Sequence, residues 1–468
     1  MQSRPQEPLV IDTELLRRFG GQGPRYTSYP TADRFDDSVD ARRYAVALSQ
    51  RAGRSGEPLG LYVHIPFCRS ICYYCACNKI GSKHVERSIP YLAALKREIG
   101  LVTERTGRGQ PVRHLHFGGG TPTFMPDDEL AELVAALREH FEFSDAGEYS
   151  IEIDPRTVGP RRLETLRELG LNRVSLGVQD FDPKVQAAVN RLQSYEQTVE
   201  LIEAARAVGF RSINVDLIYG LPKQHAAGFT ETLRKTIAAA PDRIALYHYA
   251  HLPTLFKPQR RIAEADLPSS EEKARMFENA VALFEEAGYR HLGLDHFARD
   301  DDDLAIAQRE GRLHRNFQGY CSHDAGDLIG FGVSAISSIG DVYMQNDKVL
   351  DGYYRRIERG ELPAVRGIVL DEDDFVRREA IQSLMCDFRL DWDRLDASRG
   401  IDSRRWLAGA VEALAPLAQA GAVRVDDAGV TVLPRGRLLV RAVAMAFDRY
   451  LSRPREPAAA GAGYSRIA

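Results

Sequence analysis

The chain is poor in tryptophan, with two in 468 residues, and it has no apolar run near the roughly 20 residues that a membrane-crossing helix needs. Met1 to Pro8 is polar and carries two prolines, so it lacks the apolar centre of a secretory leader, and a cytoplasmic location is expected. Positive charge is not in excess: 62 basic residues face 66 acidic ones, for a net charge of −4. That balance argues against broad attraction to nucleic acid or an anionic membrane surface, and leaves room for a local basic pocket. Cysteine is scarce too, six in all, which is far from the density of a disulfide-built domain. Four of the six crowd between Cys68 and Cys77, where metal binding or redox chemistry is the expected use. Cys321 and Cys386 stand alone and are expected to be buried thiols.

What is present is a large apolar fraction, 44%, in a chain longer than one ordinary domain. Residues 1–58 have little periodicity and form an expected N-terminal arm with one helix near 39–52. From residue 59 the pattern alternates between short β-rich runs and amphipathic stretches. Strands are predicted at 59–67, 112–117, 148–154, 173–178, 212–218, 243–247 and 289–294. Helices are predicted at 88–105, 126–141, 159–169, 194–208, 226–239 and 270–287. Repeated strand–helix units call for a parallel sheet covered by helices. About six good units fall short of a complete eight-fold barrel, so an α/β fold with a partial (β/α)6-type barrel over 59–300 is expected. A flat, doubly wound sheet is the alternative that periodicity cannot separate. Residues 301–370 read as a polar, loop-rich connecting segment. Residues 371–452 read as a mostly helical C-terminal domain with a hairpin-like wing at 421–433 and a helix at 435–451. Residues 453–468, rich in Pro, Ala and Gly, read as a mobile tail.

Cys68-x3-Cys72-x2-Cys75 follows the first strand directly. Thiolates suit zinc, copper(I) and iron–sulfur clusters. A structural zinc site wants four ligands, and no second cysteine pair or His-x3-His follows. Three cysteines on a cubane leave one iron open to a small molecule, so a [4Fe–4S] cluster is the favoured reading and zinc the other. Gly118 to Gly120 close the second strand, where bare backbone N–H groups can meet a carboxylate. Glu152, Gln179 and Asp216 follow the next three β-rich runs. Polar groups converging on one rim of a barrel mark a site.

The cysteine spacing resembles the radical S-adenosylmethionine superfamily. The surrounding residues narrow the likeness. Tyr62-Val63-His64-Ile65-Pro66-Phe67-Cys68, Cys75-x-Cys77-Asn78-Lys79, the arm Pro24-Arg25-Tyr26-Thr27-Ser28-Tyr29-Pro30-Thr31, and His116 to Thr123 (HFGGGTPT) look like the oxygen-independent coproporphyrinogen III oxidase family. So do Ile151 to Arg156 (IEIDPR), Gly177 to Phe181 (GVQDF), Asp216 to Pro222 (DLIYGLP), Tyr249 to Pro253 (YAHLP) and His314 to Tyr320 (HRNFQGY).

The resemblance implies a [4Fe–4S] cluster on Cys68, Cys72 and Cys75, and S-adenosylmethionine used twice per turnover. It assigns cofactor contacts to Tyr62, Tyr74, Gly119, Gly120, Thr121, Glu152, Gln179, Arg191, Asp216, Ala250 and Ile336, some of them to a second bound S-adenosylmethionine. Tyr74 sits where the family often has Phe. Cys77 is implied to stay off the cluster and to support the reaction. The implied reaction is radical decarboxylation of two propionates of coproporphyrinogen III to vinyl groups, with electrons from a low-potential donor. Arg25, Arg260, Arg261, Arg309 and Arg315 lie in family-like segments as candidates for the substrate's carboxylates. Tyr26 and Tyr29 are expected to close over the substrate. A monomer is expected. Haem-carrying chaperones of the same superfamily share the cysteine loop and barrel; they typically lack the fourth cysteine and the tyrosine-rich arm.

Overall fold

A computed structural model describes residues 9–324 and 326–451; the expected tail at 453–468 lies outside the described residues. The chain forms two compact units. One comprises 35–276 and 325–369, and the other the described parts of 1–34, 277–324 and 370–468.

The first unit is built on strands β1 (Leu59–Ile65), β2 (Gln110–Gly119), β3 (Phe141–Ile153), β4 (Arg173–Gln179), β5 (Ser212–Tyr219) and β6 (Arg243–His248). Every neighbouring pair in this run is parallel. Their order across the sheet is their order in the chain. A doubly wound sheet must reverse direction at a switch point, and this one never does. Right-handed crossovers that always step the same way put all helices on one face, which is the barrel arrangement. The flat alternative is therefore excluded.

The intervening helices are α1 (Ser88–Thr106), α2 (Asp127–His140), α3 (Pro160–Glu168), α4 (Tyr195–Ala207) and α5 (Ala226–Ala238). They match the predicted spans to within two residues. The signals are local: α2 buries Leu130, Leu133, Val134 and Leu137 at helical spacing, α3 opens on Pro160, and α4 is capped by Ser194, whose hydroxyl accepts from the N–H of Gln197.

The segment expected to be loop-rich is not. It holds β7 (Asp327–Phe331), β8 (Ile336–Ile339), β9 (Val342–Asn346) and β10 (Ala364–Val369). β7 pairs in parallel with the free side of β1, and β8 to β10 follow as antiparallel neighbours. Strands β7 and β9 are buried along their whole length, so their sequences do not alternate and carry no period-two signal. Glu98 of α1 fastens this addition from below. Its buried carboxylate accepts from the N–H of Gly332 (2.8 Å), Asn346 Nδ2 (2.7 Å) and the Tyr353 hydroxyl (2.7 Å).

In the other unit, the seventh predicted strand, Tyr289–Gly293, forms an antiparallel hairpin with His296–Arg299. A small sheet, Arg389–Asp391 with the wing strands Val423–Asp426 and Gly429–Val432, sits among short helices led by Glu372–Asp387. The helix expected at 435–451 is shorter: a 3-10 turn at Pro434–Leu439 and an α-helix at Val440–Met445. The Arg25–Pro30 arm packs within this unit. Tyr26 donates to Asp448 (2.9 Å), and the Tyr29 hydroxyl accepts from the N–H of Arg449 (3.2 Å). Both tyrosines are 2% exposed. Both hydroxyls are engaged by the protein itself, and the two bonds anchor the arm to this unit.

Candidate functional site

Two backbone bonds hold the cysteine loop against the glycine turn, and a third closes the loop on itself. The N–H of Gly120 reaches the Ile65 carbonyl (2.8 Å), that of Thr121 the Phe67 carbonyl (2.9 Å), and that of Ile80 the Pro66 carbonyl (2.7 Å). The approach is close enough to require glycine. A Cβ on Gly120 would stand 2.5 Å from the Pro66 oxygen, and one on Gly119 (φ +116°) 2.5 Å from the His64 ring.

Each sulfur has a distinct setting. Thr121 Oγ1 donates to Cys68 Sγ at 3.5 Å, and burial pushes the Cys68 thiol up to about 11. Cys72 Sγ accepts from Arg191 Nη1 (3.4 Å) and Arg156 Nη2 (3.5 Å). Asp154 holds both guanidiniums, Arg156 at 2.7 Å and Arg191 at 3.3 Å. Burial works to raise the Asp154 carboxyl, but those two cations outweigh it and keep it below the usual range. Cys75 is lowered to about 6, first by a bond from the Cys77 thiol and then, against its own burial, by the nearby Lys79 ammonium. Cys77 is exposed, and its thiol is raised well above the ordinary value, chiefly by Cys75.

Along the rim, Tyr62 bonds His64 Nδ1 (3.0 Å), whose Nε2 meets the Asn78 carbonyl (2.9 Å) beyond the cysteine loop. Tyr62 also stacks on His116, with ring centres 5.9 Å apart. His116 Nε2 lies 3.3 Å from Glu152, whose other oxygen accepts from the N–H of Gly119 at 3.1 Å. Burial opposes ionisation of Glu152, yet His116 and that N–H keep its pKa below the ordinary value. Gln179 occupies left-handed backbone (φ +70°), and its buried Oε1 has no partner. Asp216 lies within β5 rather than at its end. It accepts from Ser175 (3.0 Å) and Asn214 (2.8 Å), and is raised to about 6 by burial and then by Glu152.

Ala250 follows β6. Its carbonyl and that of Tyr74 both accept from Gln259 Nε2, at 3.2 and 3.0 Å, so one buried amide joins the cysteine loop to the sixth strand. Ile336 begins β8, packed against Gly330, the partner of Tyr62 in the β1–β7 register. Every sequence-predicted cofactor residue lies in this unit, on its strands or on the segments that follow them. Sequence reasoning assigned no role to His116, Asp154, Arg156 or Gln259. Asp154 and Arg156 were legible as polar residues ending a strand; Gln259, in a 3-10 turn, carried no local signal.

Among the described residues no three His, Cys, Asp or Glu side chains are gathered to share one metal ion. A cubane asks something different, since each cysteine binds its own iron. The chain fits such a group on three counts: three thiols on one loop, cationic and hydroxyl donors at two of the sulfurs, and an orphaned buried amide oxygen, that of Gln179, at the end of β4.

The fold and the site define a radical S-adenosylmethionine protein, and the Radical SAM superfamily model matches residues 62–236. The HemN C-terminal domain model matches residues 370–439. The oxygen-independent coproporphyrinogen III oxidase of Pseudomonas aeruginosa is 50% identical over 442 residues, 94% of this chain and 96% of that protein. That of Escherichia coli is 46% identical over 440 residues, 94% and 95% of the two chains. The solved structure of Coproporphyrinogen III oxidase (HemN) from Escherichia coli, described as a Radical SAM enzyme, superposes with a TM-score of 0.89 at 44% identity, covering 95% of this chain and all of that one. The chain belongs to the oxygen-independent coproporphyrinogen III oxidase family.

Proposed function

We propose that this protein converts coproporphyrinogen III to protoporphyrinogen IX by oxidative decarboxylation of two propionate side chains. The observation that carries this reading is near-full-length likeness to oxidases of that name, through both the barrel and the C-terminal domain. A [4Fe–4S] cluster with S-adenosylmethionine supplies the one-electron, hydrogen-abstracting chemistry when bound.

The chain's own residues position and protect. Cys68, Cys72 and Cys75 ligate. Arg156 and Arg191 offset the negative charge that gathers at Cys72. Tyr62, Tyr74, Gly119, Gly120, Thr121, Glu152, Gln179, Arg191, Asp216, Ala250 and Ile336 form the cofactor cradle, with the free Gln179 oxygen as an acceptor for it. Cys77, exposed and outside the ligand triad, supports hydrogen transfer. We assign the functional layout as arm (1–58), barrel (59–300), connecting segment (301–370), C-terminal domain (371–452) and tail (453–468). The protein is proposed to act as a cytoplasmic monomer with a low-potential electron donor, without nucleic acid or membrane. No helix among the described residues is long and apolar enough to cross a membrane.

The test is an anaerobic assay with reductant, S-adenosylmethionine and coproporphyrinogen III. Protoporphyrinogen IX together with 5′-deoxyadenosine is expected; deoxyadenosine without vinyl product would reject the substrate. Comparing Cys77→Ser with Cys75→Ser tests the ligand set. Equal loss of iron from both would make Cys77 a ligand.

A further inference from the structure

Five arginines were candidates for the substrate's carboxylates, and the structure separates them. Arg25 pairs with Asp295, and Arg309 with Asp300 at 3.4 Å. Arg260 Nε donates to the Pro253 carbonyl at 3.0 Å, and Arg261 Nη1 to the Tyr73 hydroxyl at 3.2 Å. Arg315 alone is different. It is 4% exposed, and its Nε and Nη1 are buried without a hydrogen-bond partner. Its compensation from the protein is the face of Tyr320, 4.7 Å from the guanidinium carbon.

A buried cation facing no anion is costly, because desolvation is not repaid by an ion pair. A stacked aromatic face returns only part of that cost. The surroundings hold the cation in place. Arg315 lies in the hairpin His314–Asn316 with Gly319–Cys321, and Tyr320 is fixed by donation to the Met385 carbonyl at 2.8 Å. The His296 ring packs edge-on to Tyr320, with centres 5.1 Å apart, and Asp295 orients that ring through Nδ1 at 2.8 Å. Arg25, which pairs with Asp295, adds its own charge to the field at Tyr320.

We propose that Arg315 is a carboxylate-anchoring residue: its unpartnered N–H groups receive a propionate of the tetrapyrrole, with Tyr320 holding the guanidinium plane. This deepens the proposed function and rests on it. A planar cation fixed against an aromatic face is what arginine offers and lysine does not.

The test uses the whole anaerobic protein, whose turnover of coproporphyrinogen III is measured first. Coproporphyrin III is then bound by fluorescence titration, beside its tetramethyl ester, in which every carboxylate is masked. Arg315→Met should weaken coproporphyrin III binding at least tenfold and leave ester binding unchanged, with Arg315→Lys intermediate. Without ligand, Arg315→Met should be at least as stable to heat as the parent, because an uncompensated buried charge is gone. It should also lose the ligand-induced rise in Tm. A Met variant that unfolds earlier, or that binds coproporphyrin III like the parent, overturns the inference while the parent's turnover leaves the function standing. Absence of turnover by the parent overturns the proposed function, and this inference falls with it.

Discussion

Arg191 Nη1 stands 3.4 Å from the sulfur of Cys72, across 119 residues of chain. The same side chain donates through Nε to the Gly177 carbonyl at 3.1 Å and pairs with Asp154, so its direction is set from three sides. Hydrogen bonds from a cation to a ligating sulfur raise a cluster's reduction potential. Arg191→Gln is expected to retain iron, to show a lower potential in a redox titration, and to cleave S-adenosylmethionine about tenfold more slowly, in line with ~1.5 kcal/mol for one charged hydrogen bond.

Gly120→Ala should damage the joint between the glycine turn and the cysteine loop. The new methyl would meet the carbonyl oxygens of Pro66 and Phe67 at 2.5 and 2.8 Å, so backbone must move. Stability is expected to fall by about 2–3 kcal/mol, with a matching loss of iron in the purified protein. Thermal unfolding and iron analysis check it.

Glu98 makes stability depend on pH. Burial lifts its carboxyl to about 7, above the unfolded value near 4.5, so between those limits the folded state holds a proton that the unfolded state has lost. Stability then falls as pH rises through that window, by about 1.4 kcal/mol per pH unit from this group. Glu98→Gln should remove that slope from a series of unfolding curves between pH 5 and 7.

Glu152 has the opposite sign. Its folded pKa is lowered from 4.5, so its contribution is complete above that value and is lost as pH falls through the folded pKa. Glu152→Gln should flatten the acid limb of the stability profile. It should also weaken S-adenosylmethionine binding, measured by equilibrium dialysis, by about tenfold through the bonds to Gly119 and His116.

Tyr26→Phe tests whether the arm's tyrosine anchors or also meets the substrate. Losing its bond to the buried Asp448 should cost about 1–2 kcal/mol of stability and leave coproporphyrin binding unchanged. A binding loss without a stability loss would return Tyr26 to the substrate.

The six strand–helix units and the cysteine loop were legible in the amino-acid order because their signals are local. Helical spacing, caps, strand-end glycines and three thiols within eight residues need no knowledge of distant partners. What decided the rest was pairing between segments far apart. That β7 to β10 extend the sheet beyond β1 depends on backbone bonds to a strand more than 250 residues earlier, and their fully buried faces erase the alternation that would have announced them. Gln259 joins Tyr74 to Ala250 only once the loop and the sixth strand meet. The five arginines are equivalent as letters. Burial, and Nε and Nη1 groups left without a hydrogen-bond partner, which only the folded chain decides, single out Arg315.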